Sequence, residues 1–157
     1  LVTGVQTLLF RSKWAKNYSE LLSMSSYCES HQKIIVSEEN RVQHRGINND
    51  RNKVRQIKID GDMWTKGTST VRADYLLLNE DKKTAYVIEL KGSDIEHALE
   101  QIKNTDANLS EALSDFQKYW RLVYRTSTKK MKNRNENELQ RKFPNLVIRK
   151  NSLEENI

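Results

Sequence analysis

Cysteine is almost absent from this sequence, since Cys28 is the only one in 157 residues. A single thiol excludes an internal disulfide and a cysteine-based zinc site. The three histidines, His31, His44 and His97, are scattered along the chain and do not predict a histidine metal site. This composition is typical of a reducing compartment, so we expect a cytoplasmic protein.

Long hydrophobic runs are also missing. The longest apolar stretches, residues 75–78 and 85–88, are far shorter than the roughly 20 residues that span a bilayer. One proline and five glycines argue against a loop-rich or all-β fold with many turns. We therefore expect no membrane partner, and the length favours a single domain over residues 1–150 with a frayed tail at 151–157.

Basic charge is present in excess and is unevenly placed. The chain has 27 Lys and Arg against 21 Asp and Glu, a net charge of +6. Residues 118–150 alone carry +9, and residues 41–58 form a second basic stretch. Such stretches can bind phosphate backbones, or they can be ordinary solvated faces. The candidates for nucleic-acid contact are Arg125, Lys129, Lys130, Lys132 and Arg134.

The hydrophobic pattern predicts a mixed α/β domain. Helical spacing favours helices at 5–23, at 95–116 as one helix or two, and at 129–143. Strand patterns cover 54–60, 71–78, 84–91, 119–127 and 145–150, with a short candidate at 33–36, while 37–52 is hard to assign. Residues 71–91 form a hairpin, and Ser93 with Glu96 suggests a capping box that starts the second helix. We expect a mixed central sheet flanked by helices, with the strand after that helix parallel to the strand before it.

Charged residues interrupt the hairpin strands. Asp74 lies in one apolar strand, and Glu89 and Lys91 lie at the end of the next. Burying such charges is costly unless they are paired or bind a metal. A two-residue turn at residues 81–82 would place Asp74 directly opposite Glu89, with Lys91 on the same face. A three-residue turn would make the contact diagonal.

Two facing carboxylates repel each other unless a cation lies between them. Oxygen ligands suit Mg²⁺ or Mn²⁺ and not zinc. A nearby lysine can orient a water or stabilise a phosphate, and the following helix N-terminus favours anions. This combination suggests phosphodiester hydrolysis. The alternative is a structural salt bridge between Lys91 and one of the two acids.

Asp74 on one strand and Glu89-Leu90-Lys91 at the end of the next resemble the bipartite motif of the PD-(D/E)XK nuclease superfamily, which includes restriction-endonuclease-like and Holliday-junction-resolvase-like enzymes. The resemblance covers the order αβββαβ over residues 5–127, with Ala73 in place of the motif's proline. It implies a restriction endonuclease-like core and a Mg²⁺-dependent endonuclease that acts on DNA, with Mn²⁺ as a substitute.

The resemblance also implies a role for each motif residue. Asp74 and Glu89 would ligate the metal together with the backbone carbonyl of Leu90. Lys91 would position or deprotonate the attacking water. Gln101, ten residues beyond Lys91, matches a glutamine that junction resolvases and related exonuclease domains carry on the helix after the motif.

The family often adds a glutamate from the first helix as a further metal ligand. Glu20 is the first candidate, with Glu38 and Glu39 as alternatives. RNA or branched DNA as substrate, and a homodimer, stay open. Two other functions also stay open: a catalytically silent module on the same fold that binds nucleic acid or a partner, and a small housekeeping protein whose charges only aid solubility.

Overall fold

The computed structural model describes residues 14–25, 27–59, 72–126 and 136–157. The helices in these ranges are α1 (Tyr18–Met24), α2 (Ile95–Asn108) and α3 (Glu136–Lys142). The strands are β1 (Tyr27–Ser30), β2 (Ile34–Glu39), β3 (Val42–Ile47), β4 (Val54–Lys58), β5 (Tyr75–Asn79), β6 (Thr84–Lys91), β7 (Gln117–Tyr124), β8 (Leu146–Lys150) and β9 (Ser152–Asn156). Among the described residues, no helix is long and apolar enough to cross a bilayer.

The larger sheet has six strands in the order β1-β4-β5-β6-β7-β8. The pairs β1–β4, β4–β5 and β5–β6 are antiparallel. The pairs β6–β7 and β7–β8 are parallel. A parallel pair needs a crossover, and α2 lies in the connection from β6 to β7. The expected mixed α/β architecture and the parallel strand after the second helix are therefore confirmed.

A second, three-stranded sheet has the order β2-β3-β9. Strands β2 and β3 occupy most of the segment that the sequence pattern left unassigned. They are joined by Asn40 and Arg41, whose φ angles of 51° and 62° are both positive, as a two-residue type I′ turn requires. The β2–β3 hairpin was missed because its turn lacks the glycine that usually signals it.

The C-terminal segment is not frayed, contrary to expectation. Strand β9 pairs in parallel with β3 from Ser152 to Asn156. Leu153 and Ile157 are buried against the larger sheet. The alternation that anchors this strand is too short and too polar to stand out in the sequence, and only its pairing with β3 reveals it.

Both faces of the larger sheet are covered, which explains why β6 is buried from Ala85 to Leu90. Ala85 and Val87 pack with the apolar stripe of α2 on one face. Tyr86, Ile88 and Leu90 pack towards the smaller sheet on the other. Odd-numbered residues of β6 therefore face the helix.

Several predicted boundaries change. The first helix was expected at 5–23. Within the described residues it is α1, which follows its N-cap, Asn17, and ends at Met24. Helix α2 starts after Asp94, whose carboxylate accepts from the His97 N–H, so Ser93 is not its cap. It ends at Asn108 and residues 109–115 form turns, so the expected helical range of 95–116 is wrong beyond residue 108. Of the helix expected at 129–143, only α3 falls within the described residues.

Candidate functional site

The hairpin register places the two acids at one end of the β5–β6 ladder. Tyr75 pairs with Ile88 and Asn79 with Thr84, which is the predicted register with a four-residue connection. Asp74 immediately precedes the last pair of this ladder. The backbone carbonyl of Asp74 still accepts from Ile59 of the neighbouring segment, 2.8 Å away, so the main chain of Asp74 is held on that side as well.

Strand β5 leaves β6 at Asp74, and we call Asp74 with Glu89, Leu90 and Lys91 the strand fork. The Asp74 N–H donates to the Ile88 carbonyl over 3.1 Å. Two residues further along β6, the Leu90 N–H donates to Oδ2 of the Asp74 side chain, at 2.8 Å, and not to a backbone carbonyl of β5. A buried amide needs a partner, and the carboxylate supplies it where the neighbouring strand has turned away. The side chain of Asp74 is thereby fixed against β6.

Both carboxylates of the strand fork are buried, with Glu89 2% and Asp74 9% exposed. Glu89 shares the odd-numbered, helix-facing side of β6 with Val87 and Lys91. Burying two like charges close together is unfavourable without compensating interactions. Glu89 therefore brings a buried carboxylate to the side of the sheet that α2 covers.

Helix α2 fixes the lysine of the strand fork. The Lys91 ammonium donates to Oε1 of Gln101 over 3.1 Å. The Gln101 amide in turn donates to the Arg72 carbonyl at 2.7 Å. The hydroxyl of Thr105, one turn further on, accepts from the Ala73 N–H at 2.8 Å. Gln101 and Thr105 thus attach α2 to the two residues that precede Asp74.

The structure therefore brings together Lys91 and Gln101, two residues that the family resemblance named. Thr105 was missed, although it lies four residues after Gln101 and is a polar residue on the apolar stripe of α2. Its hydroxyl also donates to the Gln101 carbonyl at 2.8 Å. The spacing was visible in the sequence, but the target of the hydroxyl was not.

Asn40 was also missed. Its side-chain amide donates to the Leu90 carbonyl over 2.8 Å, across 50 residues of sequence. This bond docks the β2–β3 turn on the strand fork, and no sequence signal announces it. A carbonyl oxygen can accept twice, so Leu90 keeps one further lone pair.

The predicted further glutamates do not complete a metal site in this structure. Glu20 caps its own helix: its N–H binds Oδ1 of Asn17 at 2.8 Å, and its carboxylate accepts from the Lys16 N–H at 3.3 Å. Glu39 pairs with Lys58 at 3.6 Å. Within the described ranges, no three His, Cys, Asp or Glu residues form a group that could hold a metal.

Glu39 is nevertheless close to the strand fork. Burial raises the pKa of the Tyr75 hydroxyl, the charge of Lys58 opposes this, and the charges of Glu39 and Asp74 add to it. Both carboxylates therefore act on the same hydroxyl. The backbone carbonyl of Glu38 accepts from that hydroxyl at 3.2 Å.

The donor atoms present fit a magnesium ion bound by few protein groups. Asp74, Glu89 and the Leu90 carbonyl all offer oxygen, the donor that Mg²⁺ takes. Mg²⁺ is commonly bound through one or two carboxylates, with waters and substrate phosphates as its other ligands. A third acidic side chain is therefore not required.

A basic cavity lies next to the strand fork. Its described lining consists of Asn40, Arg41, Gly92, Arg125 and Thr126, and its volume is about 510 Å³. Arg125, one of the predicted nucleic-acid contacts, is exposed here. The other four, Lys129, Lys130, Lys132 and Arg134, lie outside the described residues.

Comparison of the chain with protein-family models, with curated proteins and with solved structures finds no match. The case for a function therefore depends on the residues of the strand fork and on those that hold them in place.

Proposed function

We propose that this chain is a divalent-metal-dependent nuclease that hydrolyses phosphodiester bonds in DNA. The proposed fold is a restriction endonuclease-like αβββαβ core made of α1, β4, β5, β6, α2 and β7. The observation that carries the proposal is the contact of Lys91 with Gln101 at the end of a ladder that also holds two buried carboxylates, Asp74 and Glu89. Mg²⁺ is the proposed cofactor, and Mn²⁺ would replace it.

Asp74 and Glu89 would hold the metal, with the Leu90 carbonyl as a further donor. The bound ion would supply Lewis-acid stabilisation of charge on a phosphate oxygen. Asp74 is suited to this task because the Leu90 N–H fixes one of its oxygens. A ligand already held by a second hydrogen bond loses little freedom when it binds.

Lys91 would act on the water or on the phosphate. An ammonium has three N–H donors, and one of them is directed to Gln101. The remaining donors are available to a water or a phosphate oxygen on the helix-facing side of the sheet. Gln101 is held in turn by the Arg72 carbonyl, so the position of the ammonium is set by α2 and not by the flexible lysine stem.

The test is a cleavage assay with plasmid, linear duplex, single-stranded and branched DNA, and RNA, each with Mg²⁺, Mn²⁺ or EDTA. We expect cleavage with either metal and none in EDTA. Glu89→Gln should abolish it, while the matched change Glu100→Gln, on the exposed face of α2, should not. Normal cleavage by a folded Glu89→Gln protein would overturn the assignment.

A catalytically silent module on the same fold is the second candidate. It is favoured by the hydrogen bonds that already engage Oδ2 of Asp74 and the Leu90 carbonyl, and by the lack of a third acidic ligand in the described residues. Such a module would bind nucleic acid in EDTA with a steep salt dependence and would cut no substrate.

A further inference from the structure

The basic cavity beside the strand fork has no role in the chemistry described above. Two of its described lining residues are arginines, Arg41 and Arg125, and none of them is acidic. We infer that this cavity binds a phosphate group of a nucleic-acid strand. The inference rests on the proposed function for the identity of the strand, but the site itself is separate from Asp74, Glu89 and Lys91.

The wall of the cavity formed by the larger sheet is rigid. The β6–β7 pairing continues past both strands: the Arg125 N–H donates to the Lys91 carbonyl at 3.0 Å and the Thr126 N–H to the Gly92 carbonyl at 2.8 Å. The Thr126 hydroxyl also donates to the Gly92 carbonyl, at 3.0 Å. Arg125 therefore extends from backbone that is fixed directly beside the strand fork.

Gly92 borders open space. A Cβ added at this position would meet no described atom within 4 Å, and the φ angle of Gly92 is not in the left-handed region. The space next to Lys91 is therefore open on this side.

Arg41 reaches the cavity from the β2–β3 turn. Its φ of 62° is positive because the second position of a two-residue type I′ turn requires it. The Asn40 amide holds this turn against the Leu90 carbonyl.

The chemistry of the cavity selects phosphate. Guanidinium groups present paired donors that match the oxygens of a phosphate, and both arginines are exposed. The cavity borders Gly92, which follows Lys91 directly. A strand with one phosphate at the strand fork would therefore place a neighbouring phosphate between Arg41 and Arg125.

The experiment measures binding of labelled single-stranded and duplex oligonucleotides by fluorescence anisotropy, in EDTA and over a salt series. The test variant is Arg41→Gly, which removes the guanidinium and suits the positive φ. The matched control is Arg51→Gly, since Arg51 is also exposed and has a φ of 54°, but lies beyond the other end of β3. Both variants lose one positive charge at the same kind of backbone position.

Arg41→Gly should weaken binding about tenfold and reduce the slope of log affinity against log salt by about 0.7 for single strands and 0.9 for duplex. Arg51→Gly should leave both quantities nearly unchanged. Gly92→Val, which adds bulk to the cavity lining without removing charge, should also weaken binding, and circular dichroism should show that all three variants are folded.

Equal weakening by Arg41→Gly and Arg51→Gly would overturn the inference, because it would show only a general effect of charge. So would the absence of oligonucleotide binding. Arg41-dependent binding of inorganic phosphate or a mononucleotide, without binding of strands, would assign the cavity to small phosphate compounds and overturn the strand as ligand. Arg41-dependent strand binding by a protein that cuts nothing would support the cavity and contradict the nuclease.

Discussion

Two regions of this molecule hold carboxylates in different ways: Glu155 is half-buried, whereas Asp74 and Glu89 at the strand fork are buried. Glu155 on β9 accepts two hydrogen bonds from Nε of Arg121, at 2.7 and 3.0 Å to its two oxygens, and one contact of 2.8 Å from Nε2 of His44. At the strand fork, Asp74 and Glu89 lie at the same end of the β5–β6 ladder, and Oδ2 of Asp74 accepts from the Leu90 N–H. The first arrangement surrounds one acid with basic groups, and the second places two acids at the end of one ladder.

The contrast separates a structural ion pair from a candidate binding site. Burial by itself would raise the pKa of Glu155, but the hydrogen bonds from His44 and Arg121 outweigh it and hold the pKa below its usual range. Glu155 joins β9 to β3 and β7, so its charge serves the fold. At the strand fork, two buried acids lie at the end of one ladder beside Lys91, and this is where we propose a metal site.

The largest expected effect is at the strand fork. Glu89→Gln should lower metal-dependent cleavage by about 10³-fold. Removing a metal ligand should slow cleavage more than removing a residue that only supports a ligand. The same variant should abolish the stabilisation by Mg²⁺, which at 100 times its dissociation constant is about 2.7 kcal/mol. Thermal unfolding with and without Mg²⁺ measures this, and an unchanged shift would remove Glu89 from the metal site.

The second effect is on stability at the other region. Glu155→Ala should lower the free energy of unfolding by about 2–4 kcal/mol, because it leaves the buried Arg121 without its carboxylate. Glu154→Ala, one residue earlier, removes an exposed pair with Arg45 and should cost less than about 1 kcal/mol. Urea denaturation compares the two. Similar losses of unfolding free energy in the two variants would show that Glu155 does not form the structural ion pair described above.

The third effect concerns Gln101, which positions Lys91. Gln101→Ala should reduce kcat about 10–100-fold but lower stability by only about 1 kcal/mol. Glu100→Ala, on the exposed face of the same helix, should change neither. If the loss of folded protein accounts for the whole fall in kcat, Gln101 has only a structural role.

The smallest effect is on the pH dependence of stability. The folded pKa of Glu155 is lowered, so its contribution is present above the ordinary value of 4.5 and is lost as the pH falls through the folded pKa. Burial by itself would also raise the pKa of Glu80, but the hydrogen bonds from Tyr18 and Arg55 outweigh it and lower this pKa. Wild-type stability should therefore fall more steeply below pH 4.5 than that of Glu155→Gln. Parallel curves would contradict this assignment.

Much of the candidate site could be predicted from local pattern. The register of the β5–β6 hairpin follows from strand alternation and a central turn, and it puts Asp74 and Glu89 at the same end of the ladder. Gln101 was named from the family resemblance, which places a glutamine on the helix after Lys91. Thr105 could have been found from its i+4 position, whereas Asn40 could not, because 50 residues separate it from the carbonyl that it binds.

The further metal ligands show where sequence fails. Glu20, Glu38 and Glu39 are equally plausible as residue types, and the sequence cannot say which of them turns towards Asp74. The structure assigns the Glu20 carboxylate to its own helix start and pairs Glu39 with Lys58. Such choices depend on which side chains are neighbours after packing.

The sequence by itself determined the mixed α/β class, the hairpin register and the acid-acid-lysine pattern, because alternation and turn position are local properties. Tertiary structure alone decided the smaller sheet, the pairing of the C-terminal strand with β3, and the docking of the Asn40–Arg41 turn beside the strand fork. These features depend on contacts between segments far apart in the chain. Their individual residues carry little local preference, so only the packed structure shows where a basic cavity meets a pair of buried acids.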